Sequence, residues 1–161
     1  MTKSQYKIIT DFEDLRAYTL SLIKSISDEQ AAIIPIGSSN NLQWHLGHLL
    51  LSQTACLYLW AGIPGPGGIG NGKNFAGYFG QGTSPEKWDS LVPDWDALLK
   101  IMPEYSTGLA EKIEGHWNKA YPKTFQFMNI KMNSVAESLP FLMAHEGDHI
   151  GQIKRLVKAA S

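Results

Sequence analysis

The chain has 161 residues, 43% of them hydrophobic and 18% charged, the make-up of an ordinary globular protein long enough to bury a core. Its formal net charge of −1 gives no electrostatic case for nucleic acid or an anionic membrane as partner, and its one cysteine, Cys56, excludes an intramolecular disulfide. No stretch approaches the ~18 apolar residues of a membrane span, and none behind Met1-Thr2-Lys3 resembles a signal peptide, so the expectation is one cytoplasmic domain over residues 1–161.

From about Ser4 to Ile26, the positions Ile8, Phe12, Leu15, Thr19, Leu22 and Ile26 recur at the 3–4 spacing of an amphipathic helix. Ser27 with Gln30 reads as a capping box opening a short turn, which Pro35 and Gly37 end. Asn40 with Gln43 reads as the cap of a second helix, about 41 to 61. Trp44, His48, Leu51, Ser52 and Ala55 share a stripe on it, with His45 at the border. Leu49, Leu50, Leu57 and Leu59 make this helix apolar nearly all round, and Tyr58 and Trp60 cluster at its end. Such an excess predicts an interface, and hence a twofold homodimer.

Residues 62 to 84 are dense in glycine. Gly65-Pro66-Gly67-Gly68-Ile69-Gly70 matches G-x-G-x-x-G, and Gly67 through Asn74 matches a P-loop except that Asn74 replaces the Ser/Thr. Both motifs need a strand before and a helix after, whereas here a helix precedes and more glycine follows. The reading is a long loop, and such loops in compact domains are often lids or binding loops. Phe75, Tyr78 and Phe79 sit inside it, so these rings are expected either to fold over a neighbouring pocket as substrate-binding groups or to anchor the loop.

Ser84-Pro85-Glu86 restarts regular structure. Between Pro93 and Glu114, helical spacing interrupted by Pro103 predicts one kinked helix or two short ones. His116, beside Gly115 at a helix end, reads as a surface residue. Phe125 to Ile130 is strand-like and too short for a sheet of its own, which suggests a small hairpin or an extended crossover. A last helix, about 134 to 159, opens on a Ser134–Glu137 capping box and carries Lys154, Arg155 and Lys158 in its final turns. The fold class is therefore all-α. Four long helices, a Gly-rich loop between the second and third, and a short extended segment before the fourth read as a four-helix bundle.

The chemistry concentrates on that last helix, in His145-Glu146-Gly147-Asp148-His149-Ile150-Gly151-Gln152. Histidines spaced i, i+4 lie on one helical face, within reach of a common ion, and Gln152 falls on the same face. At 100° per residue, Ser138, Phe141, Leu142, His145, Asp148, His149, Gln152 and Leu156 form one core-facing stripe. So much polarity cannot be buried without hydrogen bonds, water or a metal. His48 adds a third neutral nitrogen from another helix, the layout of a catalytic rather than a structural zinc or non-haem metal site. His45 competes for the third place. His48 sits closer to the centre of its stripe and is preferred, leaving His45 as a neighbour of the ligands or an alternative ligand.

His145-Glu146-Gly147-Asp148-His149 also matches H-E-x-x-H, the zinc peptidase helix with Glu146 as general base. Such peptidases take a third ligand downstream, and nothing after His149 can ligate. Gln152 also stands where the metzincin pattern requires glycine. The peptidase reading is not favoured.

Trp44-His45-Leu46-Gly47-His48-Leu49, followed by the His145-Glu146-x-x-His149-Ile150-Gly151-Gln152 helix, resembles the DinB-like (DinB/YfiT-like) superfamily over nearly the whole chain. The resemblance implies a four-helix bundle with a metal on one histidine of the second helix and two of the fourth, which map onto His48, His145 and His149. Members with known activity include bacillithiol S-transferases, mycothiol-dependent maleylpyruvate isomerase and the iron-bearing domain of ergothioneine-forming sulfoxide synthases; homodimers are common. Asp148 stands where members often carry Tyr.

The expected function is metal-dependent transfer of a low-molecular-weight thiol to a small-molecule substrate, with metal-assisted hydrolysis second. The ion is expected to be zinc or nickel ahead of iron or manganese. Asp148, Gln152 and Glu146 are the candidate catalytic groups, and Trp44, Phe75, Tyr78 and Phe79 the candidate substrate contacts. The alternative is a non-catalytic binding or stress-response module that keeps the site.

Overall fold

A computed structural model describes residues 1–67 and 73–160, which are mostly helical with one two-stranded sheet. Helix α1 (Lys3–Ile23) starts at Thr2, whose hydroxyl accepts from the Gln5 amide while the Gln5 side chain accepts from the Thr2 amide. Its buried face is Ile9, Phe12, Arg16, Thr19 and Ile23, one position off the Ile8–Leu15–Leu22 line that apolar spacing predicts. The offset arises because a buried arginine occupies the centre of the face. Helix α2 (Asp28–Ala32) carries the expected Ser27–Gln30 capping box.

Helix α3 (Leu42–Gln53) runs into a π-helical segment, Thr54–Leu59, so the expected second helix is present with its last turns widened. Its cap is Asn41, not Asn40. The Asn41 side chain accepts from the Trp44 amide at 2.8 Å, and Gln43 turns away to donate to the Pro93 carbonyl. Most of the apolar excess of α3 is used within the chain: Leu46, Leu49, Leu50, Leu57 and Tyr58 are buried. Of the expected end patch, Leu59 is exposed, while Trp60 stacks on Phe125 with ring centroids 3.7 Å apart.

Residues 68–72, which hold half of the G-x-G-x-x-G match and most of the P-loop match, lie outside the described residues. Beyond them α4 (Lys73–Phe79) is a helix where the sequence predicts loop. Phe75, Tyr78 and Phe79 stand i, i+3, i+4 on it, and Phe75 and Phe79 are buried. A Cβ on Gly47 would lie inside the van der Waals envelope of the Phe79 ring, so α4 seats against α3 only where α3 has no side chain. A 3₁₀ turn, Pro85–Lys87, follows with Ser84 as its cap.

Helix α5 (Trp95–Ser106) accommodates Pro103; the break falls at Gly108, with φ 64°, before the short α6 (Leu109–Lys112). Strands β1 (Phe125–Phe127) and β2 (Ile130–Met132) form an antiparallel hairpin, with Phe125 opposite Met132 and Phe127 opposite Ile130. Its turn holds Met128 at φ 53°, a conformation that non-glycine residues seldom take. Helix α7 (Val135–Ala160) starts behind Ser134, whose hydroxyl accepts from the Glu137 amide. The Glu137 carboxylate binds the amide of Asn133 rather than that of Ser134, so the capping box is only half formed.

Helix α1 lies along α7, and α3 packs against α7, α4 and α5. Where these helices meet, a polar cluster is sealed from solvent. Arg16 Nε donates to both Glu146 oxygens at 2.7 and 3.0 Å, Arg16 donates to Gln53 at 2.9 Å, and Thr19 donates to Glu146 at 2.7 Å. Gln53 in turn donates to the Tyr105 carbonyl, linking α1, α3, α5 and α7. Among the described residues no helix is long and apolar enough to cross a membrane.

Candidate metal centre

Two helices bring the histidines together. The i, i+4 spacing on α7 sets His145 and His149 side by side, with ring centroids 4.5 Å apart. His48 reaches them from α3, its Nε2 standing 3.2 Å from His145 Nε2. The ligand atoms of His48, His145 and His149 lie within 4.8 Å of one another.

Each of two rings is turned by a hydrogen bond on its far side. His48 Nδ1 lies 2.7 Å from the Phe79 carbonyl oxygen. A carbonyl can only accept, so His48 carries its proton on Nδ1 and offers the lone pair of Nε2 to the cluster. His149 Nδ1 lies 2.8 Å from His45 Nδ1, which leaves His149 Nε2 for the cluster. Trp44 fixes His48 from the other direction, stacking on it at 4.6 Å and 10° while its indole N–H donates to Thr83. His145 Nδ1 is buried without a hydrogen-bond partner.

Burial sets the charge state. Desolvation, reinforced by the neighbouring imidazoles, pushes the pKa of His45 and His145 down to about 4 and that of His149 to about 2; desolvation lowers His48 as well. All four are neutral at pH 7, the form that ligates metals. The donor set fits a divalent cation. Two nitrogens bonded at 2.0–2.1 Å at the tetrahedral angle lie about 3.3 Å apart, close to the 3.2 Å between His48 and His145. His48, His145 and His149 could therefore hold a metal ion, with His45 orienting His149 from behind.

The three histidines open onto a cavity of about 510 Å³. Trp44, Asp148 and Gln152 line it, and Gln152 donates to the Asp148 carboxylate at 2.9 Å. Two expectations need correction. Glu146, a candidate base, is 1% exposed and faces Arg16 and Thr19 instead, because one residue past His145 the helix has turned by about 100°. Its ion pair removes the ground for the H-E-x-x-H reading. Phe75, Tyr78 and Phe79 are absent from the cavity lining: the two phenylalanines are core residues and the Tyr78 hydroxyl donates to Asp89. Phe79 serves the site only through its carbonyl. His116 remains apart, bonded to the Glu114 carbonyl.

Sequence reading alone does not mark Phe127, Met128, Ile130 and Gln81 as cavity residues, although they line this space. Their one available signal is the Phe-x-Phe of β1, whose alternation puts Phe125 and Phe127 on the same side. A larger hollow of about 730 Å³ between the first turns of α1 and the start of α7 has Lys3 and the Lys7–Asp11 pair as its charged lining and holds no histidine or cysteine.

No curated protein matches the chain. A model of the DinB superfamily matches residues 11–153, which include His45, His48, His145 and His149, and the chain belongs to that superfamily.

Proposed function

We propose that the protein is a metal-dependent enzyme that transfers a low-molecular-weight thiol to a small electrophile, with hydrolysis as the second reaction class. The observation that carries this reading is the convergence of three neutral imidazoles on the wall of a cavity large enough for small molecules. The frame is a four-helix bundle of α1, α3, α5 and α7, and the ion is zinc or nickel ahead of iron or manganese. When bound, a divalent ion supplies Lewis acidity and lowers the pKa of a thiol or water beside it.

The chain's own groups do the rest. The Phe79 carbonyl holds the proton-bearing side of His48, so its lone pair faces the cavity, and His45 pairs with His149 Nδ1, which leaves His149 Nε2 on the cavity side. Asp148, steadied by Gln152, is the carboxylate at the mouth and the residue placed to take a proton from the nucleophile. With Glu146 committed to Arg16, Asp148 is the remaining acidic candidate, and this thinness keeps a non-catalytic binding module as the second reading.

Elemental analysis of protein purified without chelator tests the site. The expectation is close to one zinc or nickel per chain, falling several-fold in a His145→Ala variant. Metal below about 0.2 per chain and unchanged in the variant sinks it. A panel of low-molecular-weight thiols with halide and epoxide electrophiles then separates enzyme from module, since only the enzyme shows metal-dependent turnover. We further propose a twofold homodimer, with exposed Leu59 as part of the contact. Sedimentation at micromolar concentration showing only the single-chain mass refutes it.

A further inference from the structure

The histidines border a second cavity as well. It measures about 170 Å³ and shares His48, His145, Gln81, Phe127 and Phe141 with the larger one. Beyond that shared wall the two spaces differ in chemistry. The larger one carries Asn40, Asp148 and Gln152 beside Trp44, Met128 and Ile130; the smaller is lined by Leu51, Ser52, Ala55, Cys56, Trp60 and Phe125, with the Ser52 hydroxyl as its one added polar group.

Two pieces of local structure build the small chamber. The π-helical turn after α3 contributes Ala55 and Cys56, and such turns recur at functional sites because the extra residue re-aims side chains. The hairpin contributes both phenylalanines of β1. Trp60 stacks on Phe125, and Phe127 packs on Phe141 at 5.5 Å, so the hairpin is fastened to both helices. Burial pushes the Cys56 thiol up to about 12, so it adds an uncharged wall. An apolar cavity of about 150 Å³ is enough to admit benzene; the chamber matches one ring or a short alkyl chain, not two fused rings.

We propose that this chamber binds an apolar group, a single aromatic ring or a short alkyl chain, on the electrophilic substrate, while the larger cavity takes the hydrophilic thiol. The inference rests on the thiol-transfer reading of the site. The shared His48–His145 wall then brings the two reactants together from opposite sides. For a benzylic halide, the thiolate sulfur forms the C–S bond as the C–halide bond breaks, the halide leaves with the electron pair, and the thiol proton passes to Asp148 and on to solvent.

Benzyl alcohol, an unreactive probe, tests the chamber in the full-length chain, both metal-loaded and chelator-treated. NMR titration should show it binding both forms, with affinity reduced at least tenfold by Ala55→Phe and by Ser52→Leu, which fill the chamber. 1-Naphthylmethanol should bind the wild type poorly and gain from Phe125→Ala. In the loaded enzyme, Ser52→Leu should raise KM for benzyl chloride and leave KM for the thiol alone. Benzyl alcohol binding that neither filled variant weakens, or equal binding of the naphthyl probe to the wild type, overturns the proposal. If Ala55→Phe does not fold, Ser52→Leu decides. Probe binding needs no ion, so failure of the chamber is read separately from failure of the metal site, which metal content reports.

Discussion

The Phe79 carbonyl accepts from His48 Nδ1 at 2.7 Å while the Phe79 ring fills the notch left by Gly47, one residue before that histidine. One residue of α4 thus aims a candidate ligand through its backbone and locks itself in place through its side chain. The glycine of Trp44-His45-Leu46-Gly47-His48 is therefore part of the site.

Gly47→Ala should consequently do more than destabilise. Its methyl group must displace the Phe79 ring, an overpacking effect of about 1–3 kcal/mol. The carbonyl shifts with the ring, and losing a group that orients a ligand typically lowers metal affinity about 10–100-fold. Zinc titration by calorimetry together with thermal melting checks both. Wild-type zinc affinity in a destabilised Gly47→Ala protein would show that the carbonyl is dispensable.

The Arg16–Glu146 pair makes a contrasting prediction. Both residues are 1% exposed, and the guanidinium also binds Gln53. Glu146→Gln leaves a buried cation without its partner, at a cost of about 3–5 kcal/mol. The metal content of the folded protein should stay near wild type, because Glu146 faces away from the histidines. Urea unfolding and elemental analysis separate the outcomes. An unaltered unfolding midpoint with abolished turnover would return Glu146 to the role of catalytic base.

How much of this was legible in the sequence depended on whether a signal was local. The i, i+4 histidines, the Ser27 cap and the amphipathic spacing of α1 all depend on neighbours along the chain, and they appear close to where spacing puts them. The His48–His145 pairing was reachable because polarity on a core-facing stripe demands a partner. Arg16 was not, since a buried arginine looks like any surface arginine until its carboxylate is found 130 positions away. The same holds for Glu146, whose place in a familiar motif pointed the wrong way. Helix α4 is not legible because glycine density hides a one-turn aromatic face, and Asn40 reads as the cap as readily as Asn41 because both asparagines suit it.

Acid should destabilise the chelator-treated protein over a definite range. Burial lowers His45 and His145 from 6.5 to about 4, and His149 further. Between pH 6.5 and 4 the unfolded chain therefore binds protons that the folded chain refuses. Stability is complete above about 6.5 and falls as pH drops towards 4, with His149 extending the loss lower. Urea midpoints at pH 7.5, 6.0, 5.0 and 4.5 trace it. Added zinc should oppose the loss at the upper end and be released as protons compete for the same nitrogens. A flat midpoint from pH 7.5 to 5 contradicts neutral, buried imidazoles.

The rings of α4 can be sorted by the same logic of burial. Phe75 and Phe79 are 2% and 0% exposed, their centroids 4.7 Å apart, and Phe79 also meets Trp88 at 5.4 Å. Truncating a buried phenylalanine typically costs about 3–5 kcal/mol. At roughly 2–4 °C per kcal/mol for a chain of this size, Phe75→Ala should lower the melting temperature by on the order of 10 °C. Tyr78→Phe removes only an exposed bond to Asp89, so its effect should stay within about 0.5 kcal/mol. A lid requires the reverse order, with melting unchanged in Phe75→Ala and substrate affinity reduced. Melting curves and KM for the two variants decide it. Phe79→Ala should combine a fall in stability with weaker zinc binding, because it frees the backbone that holds His48.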